Sequence, residues 1–228
     1  MKRSVINDII RESDAFIRSF GYVLPPFAYF SPEEMVRRRG DLAGIVDARL
    51  GWDITDYGRG RFDELGLFLF TVRNGQAEDL TRGRGMLYAE KAMISRKNQL
   101  SPMHRHVVKA EDIINRGGGT LVLELYMSDA NGDVDASAEV VVPTDGIMRK
   151  MPAGSHLKLD PGESVTLMPG VWHAFWAEGA DVFIGEVSTV NDDLTDNVFR
   201  EPLGRFAEIE EDEAPLHLLV SDYEKHLG

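Results

Sequence analysis

A chain of 228 residues, 43% hydrophobic and 28% charged, is long enough to bury a sizeable core and has the composition of a globular protein. Its 38 acidic against 25 basic side chains give a formal net charge of −13, which works against nucleic acid or an anionic membrane as partner. With no cysteine there can be neither disulfides nor thiolate metal sites, so any metal must be held by histidine and carboxylate. The opening MKRSVINDIIRESDAF has no long apolar stretch, and no segment approaches the ~18 apolar residues of a membrane span; a cytoplasmic setting is expected.

Residues 4–20 place Val5, Ile6, Ile9, Ile10, Phe16, Ile17 and Phe20 at spacings of three, four and seven, which predicts an amphipathic helix ending at Gly21. A second helix is expected from Ser31, where Ser31 and Glu34 make a capping box and Pro32 takes the first helical position, to about Gly40. From residue 44 the signals are strands and turns. Strands are expected at Leu65–Val72, Met86–Ile94, Thr120–Met127, Glu139–Val142, Ile147–Met151, Ser164–Met168 and Asp181–Val187. Asn74-Gly75 reads as a hairpin turn, and Gly117-Gly118-Gly119, Asn131-Gly132, Asp145-Gly146 and Pro161-Gly162 read as further separators. Short strands at this spacing predict a mainly β, antiparallel sandwich or barrel. Residues 1–43 are expected to form a helical N-terminal extension packed on a barrel of residues 44–228, one structural domain overall.

The chemistry concentrates in Pro102-Met-His104-Arg-His106-Val-Val-Lys109-Ala-Glu111. Strand residues two apart share a face, so His104 and His106 point together. Glu111 is five residues beyond His106, an odd offset that needs a bend between Val107 and Lys109; Lys109 and Glu111 then turn inward together. A fourth ligand follows the turn Pro169-Gly170: His173, at the start of the next strand. Two imidazoles, a carboxylate and a third imidazole make a metal site with open positions, the arrangement of a catalytic ion.

Two spacings carry a resemblance: His104-x-His106-x4-Glu111-x6-Gly118, and Gly162-x6-Pro169-Gly170-x2-His173. They resemble the two motifs of the cupin superfamily, although the second has its proline directly before the glycine and lacks the customary asparagine after the histidine. That resemblance implies a cupin-type antiparallel β-barrel, or jelly roll. Further segments, Glu111-Asp-Ile-Ile-Asn-Arg-Gly-Gly-Gly, Val171-Trp-His173-x-Phe175-Trp176 and Gly185-Glu186-Val-Ser188 through Asp196-Asn197, are similar to the D-lyxose isomerase family. The likeness extends through Arg11-Glu-Ser-Asp14 and Pro25-Pro26-Phe27 and so covers most of the chain. It implies manganese-dependent interconversion of D-lyxose and D-xylulose, with D-mannose and D-fructose as further substrates, in a homodimer. Other divalent ions (Co²⁺, Zn²⁺, Fe²⁺) fit the same ligands.

Aldose–ketose isomerisation needs an electrophile on two adjacent oxygens and a base near the carbon acid. Lys109 is suited to donate to a substrate oxygen. The resemblance implies a downstream glutamate as base; Glu208 is the match, with Glu186, in alternation with Val182 and Ile184, as its rival. Asp192 and Asp193 are candidate contacts for sugar hydroxyls, or simply a polar loop. Trp172, Phe175 and Trp176 are either core or an apolar wall for the sugar, Trp176 being the candidate contact. The competing functions on the same scaffold are an iron dioxygenase and a non-catalytic sugar-binding cupin.

Overall fold

The computed structural model describes residues 1–228. Helices α1 (Arg3–Ser19), α2 (Pro32–Arg38) and α3 (Ala43–Asp47) come first. Strands β1 (Gly51–Thr55) and β2 (Leu67–Arg73) follow, then helix α4 (Ala77–Arg82). Next are β3 (Tyr88–Ser95), β4 (Ser101–His106), β5 (Glu111–Ser128), β6 (Val134–Asp135) and β7 (Val140–Thr144). The remainder comprises β8 (Ile147–Met151), β9 (Ser155–Leu159), β10 (Ser164–Leu167), β11 (Trp172–Thr189), β12 (Asn197–Phe199) and helix α5 (Tyr223–Leu227). No helix is long and apolar enough to cross a membrane.

The molecule is a curled, antiparallel half-barrel of cupin type with helices at its N-terminus. Its frame is the pair β5 and β11, each 18 residues long. The first half of β11 lies between β4 and the second half of β5; its second half lies between β3 and the first half of β5. Both strands bend where Gly118 meets Val182, and the register shifts there. A Cβ on Gly118 would sit 2.0 Å from the Asp181 carbonyl oxygen, and its φ is +103°, so this crossing accepts only glycine. The glycine triplet, expected as a turn, is therefore the bend inside one long strand.

Asn74-Gly75 also departs from expectation. β2 and β3 do pair, but through α4 rather than a two-residue turn. The Asn74 side chain instead ties loops together: it donates to the Ala48 and Asn191 carbonyls and accepts from the Asn191 N–H. Asp145-Gly146 behaves as predicted, with φ of +50° and +80° closing the β7–β8 hairpin. Strand β1 and helix α4 had no clear signal in the sequence.

β2 shows why its sequence is apolar throughout. Leu67 and Leu69 face the barrel interior with Leu121, Leu123, Val165 and Phe175. Phe68 and Phe70 face the other way, under α1, with Ile6, Ile9, Ile10 and Ile17. A strand covered on both faces reads as a continuous run rather than an alternation. Each large side chain so buried contributes about 1.5–3 kcal/mol.

One polar contact locks α1 to the C-terminal segment. The Arg3 side chain, fully buried, makes four hydrogen bonds, two to Glu211 and two to Asp222. Arg3→Met should cost about 3–5 kcal/mol in urea unfolding, because Asp222 would be left buried without its counter-charge. Arg3 also holds the Glu211 carboxyl down to about 2 from its ordinary 4.5. A depressed carboxylate stabilises above its unfolded pKa. The stability advantage of wild type over Glu211→Gln should therefore be complete above about pH 4.5 and shrink as pH falls toward about 2.

Candidate active site

Strand register assembles the site. His104 on β4 stands directly across from His173 on β11, while Phe199 and Asn197 of β12 oppose His104 and His106. Beyond the bend, Glu186 of β11 lies across from Lys91 of β3, and Ser188 from Glu111 of β5. Alternation sends His104, His106, Glu111, His173 and Glu186 into one cavity, which Lys91, Lys109, Asp193 and Arg205 also line. Tyr57, Leu69, Met93, Phe175 and Phe199 supply apolar wall.

The three imidazoles are oriented alike. Each Nδ1 faces a main-chain carbonyl: Pro102 at 2.8 Å, Asp196 at 3.0 Å and Val171 at 3.1 Å. A carbonyl can only accept, so Nδ1 carries the proton and the Nε2 lone pair is free. One nitrogen of each ring lies within 4.8 Å of the other two. The Glu111 Oε1 atom is 3.4 Å from His106 Nε2 and 3.2 Å from His173 Nε2. His106 Nε2 and Glu111 Oε1 are buried without a hydrogen-bond partner. Leaving such atoms unpaired costs about 1–3 kcal/mol each, and a cation coordinated between them would remove that cost. The three histidines could hold a metal ion, and Glu111 is the carboxylate beside them.

Charge states fit that use. Burial, followed by the neighbouring His173 and His106, pushes His104 well below the usual imidazole range, so its ring is neutral. Burial alone would raise the Glu111 carboxyl, but the Lys109 ammonium 2.7 Å away helps hold it well below the usual range. Burial likewise opposes the charge on Lys109; Glu111 and Glu186 outweigh it and keep the lysine above its ordinary value. Lys109 Nζ donates to Glu186 Oε1 at 3.0 Å.

The bend anticipated between Val107 and Lys109 is present, and its cause is Asp196. Its carboxylate accepts from three successive main-chain N–H groups, Val107 and Val108 at 2.9 Å and Lys109 at 2.8 Å. Asp196 lies near the end of the family-like segment that begins at Gly185 but carried no expected role, and Lys91, Asp53 and Arg205 were not among the expected site residues. Lys91 had a legible signal, being two residues from Met93 within an apolar strand. Arg205, in irregular chain, had none.

Other candidates lie elsewhere. Glu208 is exposed and in no strand, and its carbonyl accepts from the Met1 amino group; it does not reach the cavity, and of the two proposed bases only Glu186 does. Proximity in sequence to Phe206 misled because no strand exists there to impose alternation. Trp176 is on the opposite face of β11 from His173 and Phe175, with its ring edge-on to His156. Asp192 caps its own turn through Leu194 N–H, Thr195 N–H and the Thr195 hydroxyl. Asp193 does line the cavity, paired with Lys91 at 3.3 Å and Arg205 at 3.0 Å.

Curled antiparallel half-barrel and buried histidine cluster together define a cupin-type protein with a site suited to a metal ion. The family model for D-lyxose isomerase matches residues 1–223. The chain is 47% identical over 228 residues to a D-lyxose/D-mannose isomerase of Escherichia coli O157:H7, covering 98% of each protein. It is 46% identical over 226 residues to a D-lyxose/D-mannose isomerase of Serratia proteamaculans, again with 98% coverage of both. Among solved structures, Cellulomonas parahominis L-ribose isomerase with L-psicose shares the fold at a TM-score of 0.62 and 16% identity, covering 92% of this chain and 98% of that one. Acinetobacter sp. DL28 L-ribose isomerase with L-ribose gives 0.61 at 14% identity, with the same coverage. The chain belongs to the D-lyxose isomerase family and is a sugar isomerase.

Alanine at His104 or His173 should weaken divalent-metal binding by more than the ~10–100-fold typical of outer-shell changes, read as metal retained after dialysis. Trp176→Ala should retain metal at the wild-type level.

Proposed function

We propose that this protein interconverts an aldose and its 2-ketose, D-lyxose with D-xylulose and D-mannose with D-fructose, with Mn²⁺ as its ion and Glu186 as the proton-transferring base. The observation that carries this reading is the Glu186–Lys109 pair, a carboxylate and an ammonium joined at 3.0 Å inside the cavity beside the histidine cluster. The names of the two close relatives support the choice of sugars. An ion held by His104, His106, Glu111 and His173 would act as a Lewis acid toward the oxygens of the sugar's first two carbons. A histidine and carboxylate set without thiolate accommodates manganese among several first-row divalent ions, and the choice of Mn²⁺ follows from the family resemblance.

The chain's own groups supply the rest. Glu186 takes the proton from the C2 carbon of the open-chain aldose and the same carboxyl returns it to C1, while the O2 hydroxyl proton passes to O1 at the enediolate stage, so the protein ends in its starting protonation state. Lys109, held charged between two carboxylates, donates to the substrate oxygen on which negative charge develops. Lys91 and Arg205, both paired to Asp193, present further donors along the cavity for hydroxyls farther down the sugar. The surrounding apolar wall keeps water from competing for these contacts.

Stripping the protein with chelator should abolish ketose formation from D-lyxose and D-mannose, and Mn²⁺ or Co²⁺ should restore it. Turnover in a sample verified as metal-free would defeat the reading. Glu186→Gln should lower kcat by about 10²–10⁴-fold with metal content unchanged, whereas Glu208→Gln should stay within twofold of wild type. The reverse outcome would return the base to Glu208.

A further inference from the structure

The loop between β11 and β12 contributes more than a connection. It carries Asn191, whose side-chain oxygen accepts from Lys91 Nζ at 2.7 Å, and Asp193, which pairs Lys91 with Arg205. Three residues later Asp196, 8% exposed, reaches the turn between β4 and β5. One oxygen of its carboxylate accepts from the Val107 and Val108 N–H groups, and the other accepts from Lys109. Its main-chain carbonyl accepts from His106 Nδ1 at 3.0 Å. A single residue thus fixes the ring orientation of one metal-ligating candidate and the backbone of the lysine that joins Glu111 to Glu186. Val107 and Val108 are themselves 55% and 58% exposed, so packing does not set this turn; the hydrogen bonds do.

We infer that Asp196 is a positioning residue for the metal and proton-transfer groups: it sets the tautomer and aim of His106 and the position of Lys109, and ties both to the loop bearing Asp193. This rests on the metal-dependent isomerase reading above. A carboxylate is needed rather than any small residue, because a turn with three convergent N–H groups makes a concave anion site that only two acceptor oxygens can fill. Asparagine offers a single acceptor oxygen. In Asp196→Asn that oxygen can keep Val107 and Val108, while an N–H would face the N–H of Lys109. The two substitutions should therefore separate: alanine frees the whole turn, and asparagine mainly displaces Lys109.

The test titrates chelator-stripped protein with Mn²⁺, following free ion by electron paramagnetic resonance, alongside thermal melting and kcat and KM at saturating Mn²⁺. Asp196→Ala keeps the main-chain carbonyl facing His106 but removes the carboxylate that anchors it to the β4–β5 turn, and should weaken Mn²⁺ binding by up to the ~10–100-fold seen when outer-shell support is lost. Asp196→Asn should weaken it by less than alanine while still lowering kcat at saturating metal, with KM little changed. If alanine does not fold, the near-isosteric asparagine variant carries the test through its kcat at full metal occupancy. Folded variants that bind Mn²⁺ as tightly as wild type and turn over normally, differing only in melting temperature, would reduce Asp196 to a turn staple and overturn the inference. Failure of the wild type to bind Mn²⁺ at all would overturn the manganese-dependent reading of the site, and this inference with it.

Discussion

Two strands, β5 and β11, run antiparallel for most of their length, and their register governs nearly everything else in the molecule. Because side chains alternate, that one pairing decides together that Glu111, Ile113, Leu121, Leu123 and Leu125 point inward from one strand, and His173, Phe175, Ile184 and Glu186 from the other. A slip by one residue would send every one of these to the outside. The shared bend at Gly118 lets the same two strands serve both walls of the half-barrel, so the histidine cluster and Glu186 converge although they lie on opposite sides of the bend.

The cavity that results is built from charge that would be costly if unpaired. Arg205 meets Asp53 at 2.7 Å and Asp193 at 3.0 Å; Asp193 meets Lys91; Lys91 lies 3.5 Å from Glu186; Glu186 meets Lys109, and Lys109 meets Glu111. Signs alternate along the whole chain of groups, so each buried charge has a neighbour of opposite sign. The series ends at Glu111 Oε1, which has no donor and faces the imidazoles. That end, against the three histidines, is where a metal ion could be held. A polar interior held rigid in this way needs little reorganisation when charge develops on a bound substrate.

The legible part of the site was the part with a short-range rule. His104 and His106 share a face by alternation, the odd offset to Glu111 demanded a bend, and Lys109 followed Glu111 inward. Glu186 was visible because an acid in an apolar run needs a partner, and Lys91 could have been found by the same argument. Glu208 failed because alternation was applied where no strand forms. Trp176 failed for the opposite reason, since alternation from His173 and Phe175 already excluded it. Asp196, Arg205 and Asp53 lay beyond reach: each acts on groups at least a dozen residues away in the chain, and nothing in the adjacent sequence marks those partners.

By itself, then, the sequence determined the class of fold, the N-terminal helix, the two motifs bearing the candidate ligands and the family. Those depend on local periodicity, turn chemistry and residue type, which are written in consecutive positions. Tertiary structure alone decided which glutamate reaches the cavity, that the glycine triplet bends a strand instead of ending it, and that one aspartate from a distant loop shapes the ligand turn. Each of these depends on what another segment brings alongside, through pairing register and burial, and neither is encoded in the spacing of neighbouring residues.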